Sequence, residues 1–114
     1  MPFIDAKFNI ELTKEKETEL KEKLGKAIEA FPGKTEQWLM LNFEDNRRMY
    51  FRGSNDRPMA YLEVKLLGDY KSESSQNCTK IICDILKDTL GIDGDMVYVK
   101  YESIRDWGYN GVNF

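Results

Sequence analysis

The 114-residue chain contains no histidine, which removes a large part of enzyme chemistry. No Ser-His or Cys-His nucleophile pair can form within it, nor any zinc site with a histidine ligand. Its two cysteines, Cys78 and Cys83, fall in a stretch of helical spacing. There their Cα atoms would lie beyond the ~7 Å reach of a disulfide. Two free thiols, fitting a reducing compartment, are therefore expected, with Cys78 a small core side chain on an apolar stripe. The group with chemical promise is Pro2. If Met1 is removed, as the small Pro2 favours, a secondary α-amine is exposed at the head of a strand. A free α-amine has a reference pKa of ~7.7–8.0, and burial or a nearby ammonium would lower it. A neutral amine near physiological pH is what a general base requires. With Met1 retained, the same nitrogen is a tertiary amide with no basicity. The residues alone leave alternatives open: Pro2 also suits the start of an edge strand, and Lys34, one of 17 Lys+Arg, also suits a solvated surface.

The elements that would position these groups follow from periodicity. Ile4, Ala6, Phe8 and Ile10 alternate with polar residues as in a strand with one buried face. Thr13 suits the N-cap of a helix carrying Leu20, Leu24, Ala27, Ile28 and Phe31 on one stripe, ended by Pro32-Gly33. Trp38 to Phe43 reads as a short strand, and Met49-Tyr50-Phe51 as a further short one. A strand then runs from Met59 to Leu67. Ser72 or Ser74 can cap a second helix with Cys78, Ile81, Ile82, Ile85, Leu86 and Leu90 inward, closed by Gly91. Met96 to Glu102 is the last long strand, and Trp107 to Phe114 is a tail without periodicity.

The layout repeats: two strand-helix-strand units, about 1–57 and 58–114, form a single domain. Each unit should pair its strands in parallel through a right-handed crossover. Together they predict an α+β, ferredoxin-like layer of four strands with both helices on one face. The other face would be left bare and apolar, so a partner chain is expected there.

Composition narrows the function. A net charge of -3, with 41% hydrophobic and 32% charged residues, suits an ordinary soluble domain and lacks the basic excess of a nucleic-acid or membrane-surface binder. No apolar run approaches the ~18 residues of a membrane span, and the start does not read as a signal peptide. Asn77-Cys78-Thr79 fits a glycosylation sequon at a helix start, Asp93-Gly94-Asp95 is too short for a calcium loop, and the charges from Lys14 to Lys26 form a wet helix face.

The order and spacing of several pieces resemble the macrophage migration inhibitory factor group of the tautomerase superfamily over essentially the whole chain. They are Met1-Pro2-Phe3-Ile4, Gly33-Lys34 with Gln37-Trp38, Gly53-Ser54 through Pro58 and Ala60, Lys80-Ile81-Ile82-Cys83, Val97-Tyr98-Val99, and Gly108-Tyr109-Asn110 with Phe114. The resemblance implies a homotrimer of pseudo-repeats with helices outside, needing no cofactor. It implies an apolar pocket at each subunit interface and keto-enol tautomerisation of phenylpyruvate-like α-keto acids. Carried over residue by residue, Pro2 is the catalytic base, Lys34 pairs with the substrate carboxylate, and the Leu67 backbone N–H meets the substrate. Tyr98 reaches in from the neighbouring subunit. Trp38, Tyr109 and Phe114 supply the apolar wall. Two positions depart from the pattern: Asn42 stands where some relatives carry histidine, and Lys100 where an Asn is familiar, adding a possible second cation beside Tyr98. Residues 58–62 lack the Cys-x-x-Cys pair of the vertebrate cytokine, which excludes disulfide exchange by that motif. The alternatives the resemblance leaves are a cytokine-like protein that binds a host cell-surface receptor and keeps a vestigial pocket, and a superfamily enzyme of dehalogenase-like or decarboxylase-like specificity. The location expected is cytoplasmic, with release by a non-classical route open.

Overall fold

A computed structural model describes residues 1–114. Strand β1 (Pro2–Phe8) buries alternate residues and leaves Phe3, Asp5 and Lys7 partly exposed. Ile4, Ala6 and Phe8 are wholly buried. The strand stops before Ile10, whose carbonyl instead accepts the Asn46 N–H at 3.0 Å. Helix α1 (Lys14–Ala27) begins where expected: the Thr13 Oγ1 accepts the Lys16 N–H at 3.2 Å, satisfying one of the donors a helix start leaves unpaired. The regular helix ends at Ala27, and a single 3₁₀ turn, Ile28–Ala30, carries the stripe on to a buried Phe31.

Strand β2 is Met40–Glu44. Trp38 precedes it in a 3₁₀ turn, Glu36–Trp38, so the expected strand is shorter by its first residues. Met49-Tyr50-Phe51 forms no strand. Arg52 and Gly53 both take positive φ (54° and 76°), and the chain reverses at once, leaving a lone bridge between Phe51 and Ser54. Strand β3 (Ala60–Leu67) and helix α2 (Ser72–Leu90) follow. Neither serine caps α2: the N-cap is Lys71, without a side-chain cap bond. Tyr70, set edge-on against Phe31 at 5.6 Å, anchors the chain just ahead of the helix, so the first turn closes there. Within α2, Cys78, Ile82, Ile85 and Leu86 are buried, whereas Ile81 is exposed. Both thiols are free. Met96 lies in a 3₁₀ turn before β4 (Val97–Ile104).

The sheet order is β2-β1-β3-β4. β1 runs parallel to β2 and β3 parallel to β4, while β1 and β3 are antiparallel with Ile4 opposite Val64. Each repeat therefore keeps its two strands adjacent, unlike the split units of a ferredoxin-like layer. Both helices share one core with Ile4, Ala6, Phe8, Leu62, Val64 and Leu66, each such fully buried large side chain contributing roughly 1.5–3 kcal/mol.

The opposite face is not the apolar surface expected. Period-two alternation puts Asp5, Lys7, Asn42, Glu44, Glu63, Lys65, Lys100 and Glu102 there. They cross-link: Lys7 to Asp5 and Glu44 at 2.9 and 3.4 Å, Lys100 to Glu63 and Glu102 at 3.6 and 3.2 Å, and the Asn42 amide to Asp5 at 2.9 Å. The middle of this face is thus a charged lattice that hydrates readily, and large apolar side chains are exposed on it only toward the two ends, at Met40 and Tyr98 (68% and 62% exposed). The tail also has structure the periodicity did not reveal. β5 (Gly108–Tyr109) and β6 (Val112–Asn113) form a hairpin. Asn110 and Gly111 make its turn at φ 52° and 85°, the pattern an Asn-Gly pair favours.

Candidate active site

Where β1 starts, the chain lines a cleft of about 440 Å³. Its floor is Met1, Pro2 and Phe3, one wall is Trp38, Leu39 and Met40 from the turn before β2 and its first residue, and the other is Trp107 and Tyr109 at the start of the tail hairpin. Pro2 is buried. The Leu67 N–H, at the end of the antiparallel neighbour β3, donates to the Met1 carbonyl at 3.0 Å. Lys34 follows Gly33 (φ 82°), and its own N–H donates to the Phe31 carbonyl at 3.0 Å. That turn directs the side chain across to β3, where Nζ donates to the Leu67 carbonyl at 3.1 Å. Pro2, Lys34 and the Leu67 peptide thus converge on one place from three segments of chain.

The terminal amine at this spot, that of Met1, has its pKa lowered, first by burial and then by the Lys34 charge beside it. Both effects disfavour the ammonium. Trp38 meets Tyr109 edge-on at 5.3 Å, and Tyr109 stacks on Phe114 at 5.9 Å. Phe114 supports the wall from behind Tyr109 and does not line the cleft. The hairpin is closed by the Phe114 N–H donating to the Trp107 carbonyl at 3.0 Å.

Tyr98 and Lys100 are elsewhere in the protomer. Pro2 lies opposite Leu66, but Tyr98 lies opposite Tyr61 near the other end of β3, about 16 Å away along the strand. Tyr98 packs edge-on against Phe51 at 4.9 Å and is 62% exposed. It borders a second cleft of about 320 Å³, formed with Met49, Tyr50, Phe51, Met59, Tyr61 and Met96. Lys100 shares the strand face of Tyr98 but is engaged with Glu63 and Glu102, and its pKa is raised, chiefly by the Glu102 hydrogen bond. No group of three or more His, Cys, Asp or Glu is placed to hold a metal ion.

Sequence reasoning missed Phe3, Leu39, Met40 and Trp107 as lining residues. The first three were counted only as strand positions. Trp107 could have been found from Asn110-Gly111, whose hairpin turn brings it back over the cleft.

Comparison with known proteins agrees with this architecture. The sequence profile described as "Macrophage migration inhibitory factor (MIF)" matches residues 1–114. The mouse (Mus musculus) macrophage migration inhibitory factor is 30% identical over 99 residues, 85% of this chain and 82% of that protein. The crystal structure of Leishmania major MIF2 superposes with a TM-score of 0.92 at 31% identity, covering 100% of this chain and 97% of the other. A more distant structure, Pt0534 inactivated by 2-oxo-3-pentynoate, shares the fold with a TM-score of 0.81 at 18% identity, covering 96% and 93% of the two chains. The chain belongs to the macrophage migration inhibitory factor family.

Proposed function

We propose that this family member is a cofactor-independent keto-enol tautomerase of phenylpyruvate-like α-keto acids, working as a homotrimer with Pro2 as the proton carrier. The observation that carries the reading is the convergence of Lys34 and the Leu67 N–H on the chain start beside the apolar cleft whose floor includes Pro2. Removal of Met1 would convert the Pro2 nitrogen from an amide to a secondary amine. It would also take away the Met1 carbonyl that occupies the Leu67 N–H, freeing that donor beside the new terminus. Burial and Lys34, which lower the pKa of the Met1 amine, would act on the Pro2 amine in the same direction and leave it neutral near physiological pH.

In the ketonising direction the enol's carboxylate pairs with Lys34 and its ring lies against Trp38 and Tyr109. The Pro2 nitrogen takes the enol O–H proton, the carbonyl forms, and the C=C electron pair receives a proton from the prolinium at the adjacent carbon. The Leu67 N–H stabilises negative charge on the substrate as the proton moves. Tyr98 cannot reach the Pro2 cleft of its own protomer. Its exposed position at the far end of the sheet suits the cleft of a neighbour arranged head to tail, and such contacts close into rings. The inactivation of Pt0534 by 2-oxo-3-pentynoate, an α-keto acid, supports the substrate class.

The test is N-terminal mass analysis followed by phenylpyruvate ketonisation on the same sample, with size-exclusion measurement of assembly. Met1-free trimer with turnover, and a Pro2→Gly variant at least about 100-fold slower, are expected. Undiminished activity in Pro2→Gly removes Pro2 from the mechanism. Met1-free trimer without turnover leaves the receptor-binding reading.

A further inference from the structure

Strand β3 leaves the sheet at Leu67, opposite Ile104 of β4, and turns at Gly68 (φ 80°), a conformation glycine adopts without a steric cost. Hydrogen bonds hold this turn from two sides. Toward the chain start, the Leu67 N–H donates to the Met1 carbonyl at 3.0 Å, and the Leu67 carbonyl accepts from Lys34 Nζ at 3.1 Å. Toward β4, the Gly68 N–H donates to the Ile104 carbonyl at 2.8 Å, and the Ser103 hydroxyl donates to the Gly68 carbonyl at 2.9 Å. The Ser103 hydroxyl also lies 3.1 Å from Asp69 Oδ1. A Cβ on Gly68 would meet no heavy atom within 4 Å, so on that side packing does not brace the turn. The next anchor along the chain is Tyr70, set against Phe31.

The two sides differ once the site is at work. Removal of Met1 takes away the carbonyl that holds the Leu67 N–H. A substrate carboxylate then draws Lys34 Nζ from the neutral Leu67 carbonyl, because a bond between two charged groups is the stronger. Both bonds toward the chain start are released just when the Leu67 N–H has to face the substrate. The bonds to β4 are untouched by either event. One fixes the peptide before Gly68 and the other the peptide after it, so together they hold both dihedrals of a residue that is otherwise free to turn. Ser103 supplies the one side-chain bond of that pair. It does not line the Pro2 cleft, so it acts only through the turn. A donor fixed in advance stabilises developing charge without reorganising during the reaction.

We propose that Ser103 is a positioning residue for proton transfer in the Pro2 cleft, its hydroxyl clamping the Leu67–Gly68 turn to β4 so that the Leu67 N–H keeps its aim after Met1 has gone. The proposal rests on the tautomerase reading and extends it to β4. The test measures kcat and KM for phenylpyruvate ketonisation on the Met1-free assembled protein, as wild type, Ser103→Ala, Ser103→Thr and Ser103→Val, with urea unfolding of each. Ser103→Ala should lower kcat about tenfold, less than the loss of a donor removed outright. KM should change by less than about twofold, because the donor acts on charge that develops as the proton moves. Ser103→Thr keeps the hydroxyl and should hold kcat within about twofold of wild type. If Ser103→Ala fails to assemble, Thr and Val, alike in shape and both at home in a strand, isolate the hydroxyl: Val should show the loss and Thr should not. A wild-type kcat in Ser103→Ala or Ser103→Val overturns the proposal and leaves Pro2 and Lys34 in their roles. An equal loss in the Thr and Val variants, or a change confined to KM, overturns it as well. Wild type without turnover removes the tautomerase reading itself, and the role of Ser103 with it.

Discussion

Gly33 and Gly91 follow the two helices in the same left-handed conformation, φ 82° and 70°, yet the next residue is Lys34 in the first repeat and a wholly buried Ile92 in the second. The correspondence continues through the strands. Pro2 matches Ala60, each the first residue of its strand, and Trp38 matches Met96, both pairs lying 58 positions apart. Trp38 and Met96 both close 3₁₀ turns before the second strand of their repeat. The two clefts are therefore counterparts, placed at opposite ends of the sheet because β1 and β3 run antiparallel. Pro2, in the floor of the first cleft, has its counterpart in Ala60 of the second. The backbone provides a hydrophobic hollow twice, and the chemistry enters at only one of them. Ala60 has chain on both sides, so its nitrogen is always an amide. Pro2 needs only one bond cut to become an amine.

The largest effect should come from erasing that last difference. A chain carrying one additional residue ahead of Pro2, verified by mass, makes the Pro2 nitrogen as inert as that of Ala60. Phenylpyruvate ketonisation should fall at least about 100-fold, the lower range of general acid–base contributions, with the trimer intact. Full turnover would mean that the terminal amine is not what separates the two ends. The next comparison exchanges the residues after the glycines. Ile92→Lys places an unpaired ammonium in the core and should lower stability by about 3–5 kcal/mol in urea unfolding. Lys34→Ile loses one partly exposed hydrogen bond, about 1 kcal/mol, but should raise KM for the α-keto acid about tenfold or more. One position is then structural and the other functional, although the turn is the same.

The pH profile sharpens the account of Lys34. Burial is the larger cause of the lowered terminal-amine pKa and the Lys34 charge the next. The base works unprotonated, so kcat/KM should rise with pH and level off below the ordinary α-amine value. Lys34→Met should move the midpoint of that limb upward, because one cation-destabilising charge is gone. It should not restore the ordinary value, because burial persists. A midpoint that stays put in Lys34→Met would assign the whole shift to burial.

Much of this was legible in the residues. Alternation placed β1, β3 and β4, and the helix stripes placed Leu20, Leu24, Cys78 and Ile82 in the core, because burial on one face is a property that period alone can encode. The same alternation also carried the charges of Asp5, Lys7, Glu63 and Lys100, yet the open face was read as apolar because its polar half was not followed across all four strands. Pro2 and Lys34 are 32 positions apart in sequence, and no local pattern joins them. Their meeting depends on the antiparallel β1–β3 register and on where Gly33 aims the next side chain. The resemblance to a family supplied that pair; spacing could not. The aromatic wall was half seen, since Tyr109 reaches Trp38 only through a tail hairpin whose Asn110-Gly111 signal was overlooked.

The smallest predicted difference separates the two helix starts. Thr13 caps α1 through its side chain, whereas α2 begins at Lys71 with no such bond. Thr13→Ala should therefore cost about 1 kcal/mol in urea unfolding, and Ser72→Ala or Ser74→Ala should stay within about 0.5 kcal/mol. The asymmetry matches what each helix has in reserve. α1 buries Leu20 and Leu24 on an otherwise polar surface of Lys and Glu, so its first turn depends on local bonds. α2 is longer, buries Cys78, Ile82, Ile85 and Leu86, and has Tyr70 packed on Phe31 ahead of it, so tertiary contacts hold its start without a cap. A Ser72→Ala loss equal to that of Thr13→Ala would show that the two starts are stabilised alike, and that the contrast between the repeats is confined to their clefts.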